Sequence, residues 1–247
     1  MSERFTPRLG IVLMTIVAFM KESDDSLLLG ADSQFTSNGY RDFGIKLREV
    51  KNQYIAWASE GNPHIGLEEF GEWVDGYNFT DKNWGMFIDE ATTQLSELNG
   101  RRKSNAEKAG YEYKRDSMGA GILIVGWLAG KARAYELTND GGCFTILDFT
   151  KGIGVGGKSF RVAIAVIQRL YDIFDNLAAF YIALESTASY IEDCSPPIAI
   201  WRIKKDCIEK DIVEKIKTKQ IGVSKKQFHE LLNKASQPIK KSEKGKS

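Results

Sequence analysis

The sequence predicts an α+β fold in which antiparallel sheets lie between segregated helices as a four-layer sandwich. Predicted strands and helices occur in groups along the chain, as strands, two helices, strands, two helices and a strand. The 247 residues, 43% of them hydrophobic, are enough for one sizeable core. We therefore expect a single domain over residues 15–235. It follows a leader or propeptide over residues 1–14 and precedes a disordered, Lys- and Ser-rich tail over residues 236–247.

The first predicted element is a β-hairpin. Residues 15–20 and 27–32 are short apolar runs on either side of a polar turn. A symmetric turn would place Thr15 opposite Asp32, with their Cβ atoms roughly 4.5–5.5 Å apart. A hydroxyl beside a carboxylate suggests a nucleophile with an orienting acid. The structural alternative stays open, because Thr is common in strands and Asp commonly ends them.

The first half then alternates loop, strands and helices. In the strand over residues 45–50, Ile45 and Leu47 are predicted on one face and Lys46 on the other. A polar, basic segment over residues 99–108 is predicted as a solvated connection. The other predictions are a loop over 33–43, a strand over 54–59, and helices over 63–77 and 82–98.

In the second half, predicted strands are again followed by predicted helices. The predictions are strands over 120–125, 131–137 and 143–148, helices over 158–175 and 178–191, a strand over 198–203, and a helix over 225–234 capped by Ser224. The glycine-rich run over residues 152–157 precedes the first of these helices. It lacks both a Gly-Lys-Ser/Thr ending and the G-x-G-x-x-G spacing. A tight strand-to-helix turn is therefore favoured over a phosphate-binding loop.

Composition restricts the classes of function. A net charge of +1 gives no reason to expect a nucleic acid or an anionic membrane as partner. Three widely spaced cysteines and two histidines predict no metal site, no cofactor and no disulfide framework, so a reducing cytoplasmic location is expected. The apolar run over residues 9–20 has the length of a signal-peptide core but lacks a small-residue cleavage site. It is also too short to span a bilayer, which needs about 20 residues.

Five motifs in order resemble the proteasome β-subunits. They are Thr15-Ile-Val-Ala-Phe, Gly30-Ala-Asp-Ser-Gln-Phe-Thr-Ser-Asn-Gly39, Ile45-Lys-Leu, Ala58-Ser-Glu-Gly61 and Ile153-Gly-Val-Gly-Gly157. They also resemble the bacterial two-ring threonine protease that works with an unfoldase. Both belong to the N-terminal-nucleophile hydrolases, whose fold is an αββα sandwich. The resemblance implies a threonine-type endopeptidase, assembly into rings, peptide or unfolded-protein substrates and an ATP-dependent unfoldase as partner.

The resemblance also implies roles for individual residues. Thr15 matches the N-terminal nucleophile, Asp32 the acid that ends the second strand, and Lys46 the lysine of the third. Gly61 matches the glycine whose backbone N–H is the oxyanion donor. The residues that match the family's supporting Asp and Ser are Asp193 and Ser195.

Elementary chemistry gives these residue types a function. A threonine hydroxyl is a poor nucleophile, and its own α-amino group can be the base that activates it. A nearby cation such as Lys46 would lower the pKa of that amine and so favour its neutral form. Asp32 would hold the lysine in position, and the Gly61 N–H would stabilise charge that develops in the transition state.

Three departures from the family pattern leave alternatives open. Many relatives have Thr-Thr before the Ile-Val pair, and in that register Thr15 matches the second threonine while Met14 stands at the nucleophile position. For Thr15 to be the nucleophile, either propeptide cleavage or an upstream start followed by methionine trimming must free it. Val155 stands where relatives have a serine in a Gly-Ser-Gly motif, so that Ser159 or water would have to replace it in a proton relay. Glu60 interrupts the usual Ser-Gly pair. The alternatives are a catalytically silent structural or regulatory subunit and an N-terminal-nucleophile amidase or transpeptidase.

Overall fold

The computed structural model of the chain describes residues 15–37, 40–51, 53–80, 83–113, 118–128, 130–170, 175–191 and 194–213. Within these ranges the fold is mixed α+β, with two five-stranded antiparallel sheets, a two-stranded hairpin and four α-helices. The predicted α+β class and antiparallel sheets are confirmed. The predicted leader over residues 1–14, the helix over 225–234 and the tail over 236–247 lie outside the described residues.

The elements follow one another in the order that the grouped pattern predicts. The strands are β1 (Val17–Lys21), β2 (Ser26–Asp32), β3 (Gln34–Ser37), β4 (Tyr40–Phe43), β5 (Leu47–Glu49), β6 (Ile55–Gly61), β7 (Ala120–Leu128), β8 (Lys131–Leu137), β9 (Cys143–Thr145), β10 (Thr150–Ile153), β11 (Ile198–Lys204) and β12 (Ile208–Glu209). The helices are α1 (Phe70–Gly76), which continues a π-helical turn over His64–Glu69, α2 (Trp84–Lys108), α3 (Gly157–Leu170) and α4 (Asn176–Tyr190). None of the helices in the described part of the chain is both long and apolar enough to cross a membrane.

The two large sheets are built around hairpins. The first sheet has the strand order β10-β1-β2-β11-β12, and the second has the order β5-β6-β7-β8-β9. In β1, Ala18 and Met20 pack in a cluster with residues of α3 and α4, whereas Val17 and Phe19 pack against residues of the second sheet. This alternation follows from the two-residue period of a strand. Both faces of β1 are therefore buried.

Three apolar clusters form the core. One joins the first sheet to α3 and α4, and another joins the second sheet to α1 and α2. The third contains residues from both sheets, including Leu29 of β2, Ala58 of β6 and Leu123 of β7. The candidate site residues lie at one end of this third cluster, where β2 and β6 end.

The predicted register of the first hairpin is wrong by one residue. Lys21, not Met20, is the partner of Leu27. The turn is asymmetric because the carbonyl of Ser26 accepts hydrogen bonds from the N–H groups of both Glu22 and Ser23. At the far end of the hairpin, Ile16 rather than Thr15 therefore exchanges a backbone hydrogen bond with Asp32.

Two other predictions in the first half are wrong. The predicted loop over 33–43 contains the β3–β4 hairpin, for which the Asn38-Gly39 dipeptide of the sequence was an available signal. Ile45 is 56% exposed while Lys46 and Leu47 are both buried, so Ile45 and Leu47 do not share a face as predicted. The strand begins only at Leu47, so strand alternation does not apply to the two residues before it.

Two element boundaries also differ from prediction. Helix α2 runs ten residues beyond the predicted end at Leu98, since its charged last turns are rich in helix-forming Arg, Lys and Glu. The predicted glycine-rich turn over residues 152–157 overlaps strand β10, which extends to Ile153. Both errors come from taking a polar or glycine-rich composition as evidence of a loop.

Candidate active site

Thr15 lies two residues before β1 and is 4% exposed. Its carbonyl oxygen accepts a 3.4 Å hydrogen bond from the N–H of Gly156, in the turn between β10 and α3. This hydrogen bond thus joins the backbone of Thr15 to the glycine-rich segment. Its hydroxyl faces the buried polar groups that follow.

Asp32 is the last residue of β2 and is 1% exposed. Its carboxylate accepts hydrogen bonds from the backbone N–H groups of Ile16, at 3.0 Å, and Gln34, at 3.2 Å. These two bonds fix the carboxylate relative to the segment that carries Thr15. They also favour its ionised form.

Lys46 connects the two predicted residues. Its side chain is 1% exposed, and its Nζ donates hydrogen bonds to the Asp32 carboxylate at 2.8 Å and to the Thr15 hydroxyl at 3.0 Å. A lysine is almost never fully buried unless it is paired. The structure therefore brings Thr15, Asp32 and Lys46 together, with Lys46 between the other two rather than with Thr15 directly opposite Asp32.

Burial shifts the pKa of both ions in this pair. Desolvation lowers the pKa of Lys46 from its usual value, and the Asp32 charge and hydrogen bond oppose that change. Desolvation likewise raises the pKa of Asp32, against the effect of Lys46 and the two backbone donors. A buried lysine whose pKa is lowered gives up a proton more readily than a solvated one. The charged form of Lys46 beside the Thr15 hydroxyl is thus disfavoured by burial and supported by Asp32.

Cys194 is a buried residue of this region that the sequence analysis missed. It is 4% exposed, and its electrostatic interaction with Lys46 raises the pKa of the lysine, against the effect of burial. Its position between the two predicted supporting residues Asp193 and Ser195 was the available signal.

The glycine-rich segment packs directly on the backbone of the candidate nucleophile. Gly154 has a φ of +78°, and a Cβ atom there would lie 2.1 Å from the Thr15 carbonyl oxygen. A Cβ atom at Gly156 would lie 2.7 Å from the Cβ of Ile16. These glycines are needed for a close approach of two backbones, as the predicted turn requires. The side chain of Val155 is 45% exposed.

The other predicted site residues have weaker connections to this group. Gly61 ends β6 with a φ of +78°, and a Cβ atom there would lie 2.3 Å from the carbonyl oxygen of Gly119. Ser195 is half-buried, and its side chain makes no hydrogen bond to another residue in the described ranges. Asp193 lies outside the described residues. The roles of all three remain predictions.

The described ranges contain no group of three or more His, Cys, Asp or Glu side chains that could hold a metal ion.

No protein-family model matches the chain, and no curated protein sequence matches it. Among solved structures, the chain is similar to Anbu (ancestral beta-subunit) from Yersinia bercovieri, with a TM-score of 0.66 at 15% sequence identity. The alignment covers 92% of this chain and 100% of that one. The chain has a proteasome β-like fold. At this identity the likeness shows the fold alone, and activity has to be argued from the site.

Proposed function

We propose that the chain is a threonine-type peptidase in which Thr15, freed by removal of residues 1–14, is the N-terminal nucleophile. The observation that carries the proposal is the buried Lys46 ammonium, which contacts both the Thr15 hydroxyl and the Asp32 carboxylate. The proteasome β-like fold supports the same conclusion, and the three apolar clusters support the four-layer arrangement of that fold.

In the proposed reaction the Thr15 Oγ attacks the carbonyl carbon of a peptide bond, and the Thr15 α-amino group takes the hydroxyl proton. Lys46 acts in two ways. Its charge disfavours protonation of the amine, and its hydrogen bond lowers the cost of negative charge on Oγ. The tetrahedral intermediate then releases the amine half of the substrate, which leaves with the proton. Water hydrolyses the remaining ester and restores the free threonine.

The carbonyl oxygen becomes negatively charged in the intermediate and needs donors. The resemblance assigns one of them to the Gly61 N–H, and such a donor contributes roughly 10²–10³ in rate. We further propose that the chain assembles into rings that enclose the site, with an ATP-dependent unfoldase supplying unfolded protein.

The test uses a chain that begins at Thr15, produced by cleavage of a fusion, together with the Thr15→Ala and Thr15→Ser variants. We expect hydrolysis of fluorogenic peptides by the Thr15 chain, none by Thr15→Ala, and a reduced rate for Thr15→Ser because it retains a hydroxyl. Labelling by a threonine-directed electrophile should follow the same order. Equal hydrolysis or labelling by the Thr15→Ala variant would refute the assignment.

The silent-subunit alternative has two observations in its favour. Met14 precedes Thr15 in the chain, and the exposed isopropyl group of Val155 cannot form hydrogen bonds. The intact mass of the expressed full-length chain separates the two functions. A mass that begins at Thr15 favours the peptidase. A mass that begins at Met1, together with no hydrolysis by the chain that begins at Thr15, favours the silent subunit.

A further inference from the structure

The pairing of β6 with β7 sets the direction of the Gly61 N–H. Gly61 is the last residue of β6 and lies opposite Ala120, the first residue of β7. Along an antiparallel pair, residues that exchange hydrogen bonds with the partner strand alternate with residues that do not. The N–H of Asn62 donates a 2.8 Å hydrogen bond to the carbonyl of Gly119, so this N–H faces β7. The N–H of Gly61, one residue earlier, therefore faces away from β7.

The side that the Gly61 N–H faces is the side of the candidate site. Strand β6 lies between β5 and β7 in the sheet, so a group that faces away from β7 faces the β5 side. Strand β5 begins at Leu47, which pairs with Ala58, and so it ends short of Gly61. Lys46, which directly precedes β5, contacts Thr15. The Gly61 N–H thus opens past the end of β5, at the sheet edge that carries Lys46.

A side chain of α2 holds the first residue of β7. Asn99 is 2% exposed, and its amide donates a 3.0 Å hydrogen bond to the carbonyl of Ala120 and accepts one of 2.9 Å from its N–H. Strand β8 pairs with β7 only as far as Ile122. The two groups of Ala120 face away from β6, towards the place that a longer β8 would take. The Asn99 amide makes the two bonds that such a strand would make.

Asn99 and the backbone of Asn62 hold one peptide unit between them. The unit that joins Gly119 to Ala120 presents its N–H to Asn99 and its carbonyl oxygen to the N–H of Asn62. The same oxygen lies 2.3 Å from the position that a Cβ atom would take at Gly61, where φ is +78°. The unit therefore packs directly on Gly61, and a movement of the unit would displace that residue.

We propose that Asn99 is a positioning residue that keeps the Gly61 N–H directed towards the site by fixing the peptide unit between Gly119 and Ala120. This inference rests on the proposed function, because attack by Thr15 is what gives that N–H an oxyanion to bind. A donor stabilises developing charge most when it is already oriented, since no reorganisation is then needed. The competing assignment is a structural brace, which would affect stability and leave the donor unchanged.

The first measurement compares two ligands of the chain that begins at Thr15. With a peptide aldehyde, Oγ forms a bond to the carbonyl carbon, the hydroxyl proton passes to the α-amino group, and the carbonyl oxygen takes the negative charge. The matched peptide alcohol has no carbonyl to attack. The ratio of their affinities therefore reports stabilisation of the oxyanion. We expect Asn99→Leu to lower the preference for the aldehyde about tenfold, part of the roughly 10²–10³ that a donor contributes, and to leave the affinity for the alcohol unchanged.

Three further variants make this comparison specific. Asn99→Asp keeps an acceptor for the Ala120 N–H and should retain most of the preference. Asn176→Leu is the matched control, because it removes an amide that donates a 2.7 Å hydrogen bond to the carbonyl of Glu22 at the turn of the β1–β2 hairpin. It should retain the full preference. Asn99→Ala replaces the leucine variant if that chain does not fold, with the same expectation.

The second measurement does not depend on the chemistry of Thr15. Hydrogen exchange of the Asn62 N–H is followed by NMR on the chain labelled with ¹⁵N-asparagine. This N–H bonds to the peptide unit that Asn99 fixes. We expect its exchange to be about tenfold faster in Asn99→Leu, as for the weakening of one hydrogen bond, and unchanged in Asn176→Leu.

The outcomes separate this inference from the proposed function. Unchanged exchange at Asn62 in Asn99→Leu would overturn the inference whether or not peptides are hydrolysed. Faster exchange with an undiminished preference for the aldehyde would also overturn it, because Asn99 would then be a structural brace, and the proposed function would stand. Faster exchange together with no aldehyde preference in the wild-type chain would support the positioning role, and only the proposed function would fail.

Discussion

The β1–β2 hairpin has an ion pair at each end, and the two pairs differ in burial. At the Thr15 end, the side chains of Lys46 and Asp32 are 1% and 0% exposed. At the turn end, Arg202 contacts both carboxylate oxygens of Glu22 at 2.6 Å, and these side chains are 19% and 15% exposed. The same type of contact is thus found in two environments on one hairpin.

The pKa shifts of the two cations have opposite signs. Desolvation is the largest effect on Lys46 and lowers its pKa. The hydrogen bond that Arg202 donates to Glu22 is the largest effect on Arg202 and raises its pKa, although burial opposes it. Burial therefore makes the first cation easier to deprotonate, whereas the carboxylates fix the second in its charged form. The first pair places a cation beside the Thr15 hydroxyl, and the second joins β11 to the turn of the hairpin.

The largest expected effect comes from Lys46→Met. This variant removes the ammonium group and leaves the Asp32 carboxylate buried without its cation. Loss of one partner of a buried pair should lower the free energy of unfolding by about 3–5 kcal/mol. The measurement is urea unfolding followed by circular dichroism. The double variant Asp32→Asn with Lys46→Met should recover part of the loss, because it leaves no unpaired charge. A loss below about 1 kcal/mol would indicate a pair that behaves like a surface ion pair.

The second prediction tests whether stability depends on the close backbone contact between Gly154 and Thr15, at the buried end of the hairpin. Gly154→Ala places a Cβ atom at a φ of +78° and within 2.1 Å of the Thr15 carbonyl oxygen. The left-handed backbone and the clash together should cost about 3 kcal/mol. Gly130→Ala is the matched control, with a φ of +73° and no heavy atom within 4 Å of the added Cβ. It should cost only about 1 kcal/mol.

Chemical denaturation compares the loss of stability in the two glycine variants. Peptide hydrolysis by chains that begin at Thr15 compares their activities. We expect hydrolysis to fall in Gly154→Ala and to be retained in Gly130→Ala. Equal losses of stability in the two variants would mean that the contact between Gly154 and Thr15 does not constrain the site.

Loss of the ion pair at the turn end of the hairpin should reduce stability less than loss of the buried pair. Arg202→Met breaks the contact with Glu22 and also the weaker 3.2 Å contact with Glu209. Because these groups are partly solvated, the free energy of unfolding should fall by about 1–2 kcal/mol. The loss should shrink in high salt, which screens partly exposed charges more than buried ones. A loss as large as that of Lys46→Met would remove the distinction between the two ends.

The sequence predicted the three central site residues, and that Asp32 would hold Lys46 near Thr15, but not the register of the hairpin that carries Thr15 and Asp32. Thr15, Asp32 and Lys46 were each placed by the motifs that resemble the proteasome β-subunits. The predicted geometry put Thr15 directly opposite Asp32, because a symmetric turn was assumed. The register depends on the local hydrogen bonds to the carbonyl of Ser26 in the turn, and composition does not show these bonds. Without that register, the hydrogen bond from the Ile16 N–H to the Asp32 carboxylate could not be derived.

Strand alternation did not predict the burial of Lys46. Lys46 precedes its strand, and its burial depends on Asp32, a residue far away in sequence that supplies the opposite charge. The proximity of Cys194 to Lys46 likewise arises from tertiary packing. Sequence patterns record local period and composition, whereas these contacts depend on which ends of different strands meet.

The smallest expected effect is a dependence of stability on pH that only the buried end should show. Burial lowers the pKa of Lys46, and the charge of Asp32 opposes this shift, so Asp32→Asn should lower that pKa further. Between the lowered folded pKa and the ordinary pKa of the unfolded chain, only the unfolded state holds the proton. The free energy of unfolding must then rise with pH, by at most about 1.4 kcal/mol per unit. This contribution is complete above the unfolded pKa and is lost as the pH falls through the folded one.

Urea unfolding of Asp32→Asn and of the wild-type chain between about pH 7 and about pH 9 measures the slope. We expect Asp32→Asn to gain stability relative to the wild type as the pH rises, and the double variant with Lys46→Met to show no such gain. Arg202→Met should run parallel to the wild type, because an arginine stays charged throughout this range. Parallel curves for Asp32→Asn would mean that Lys46 remains protonated even without its carboxylate. Burial would then be too weak to set its proton affinity, and the two ends of the hairpin would differ in solvent exposure without differing in chemistry.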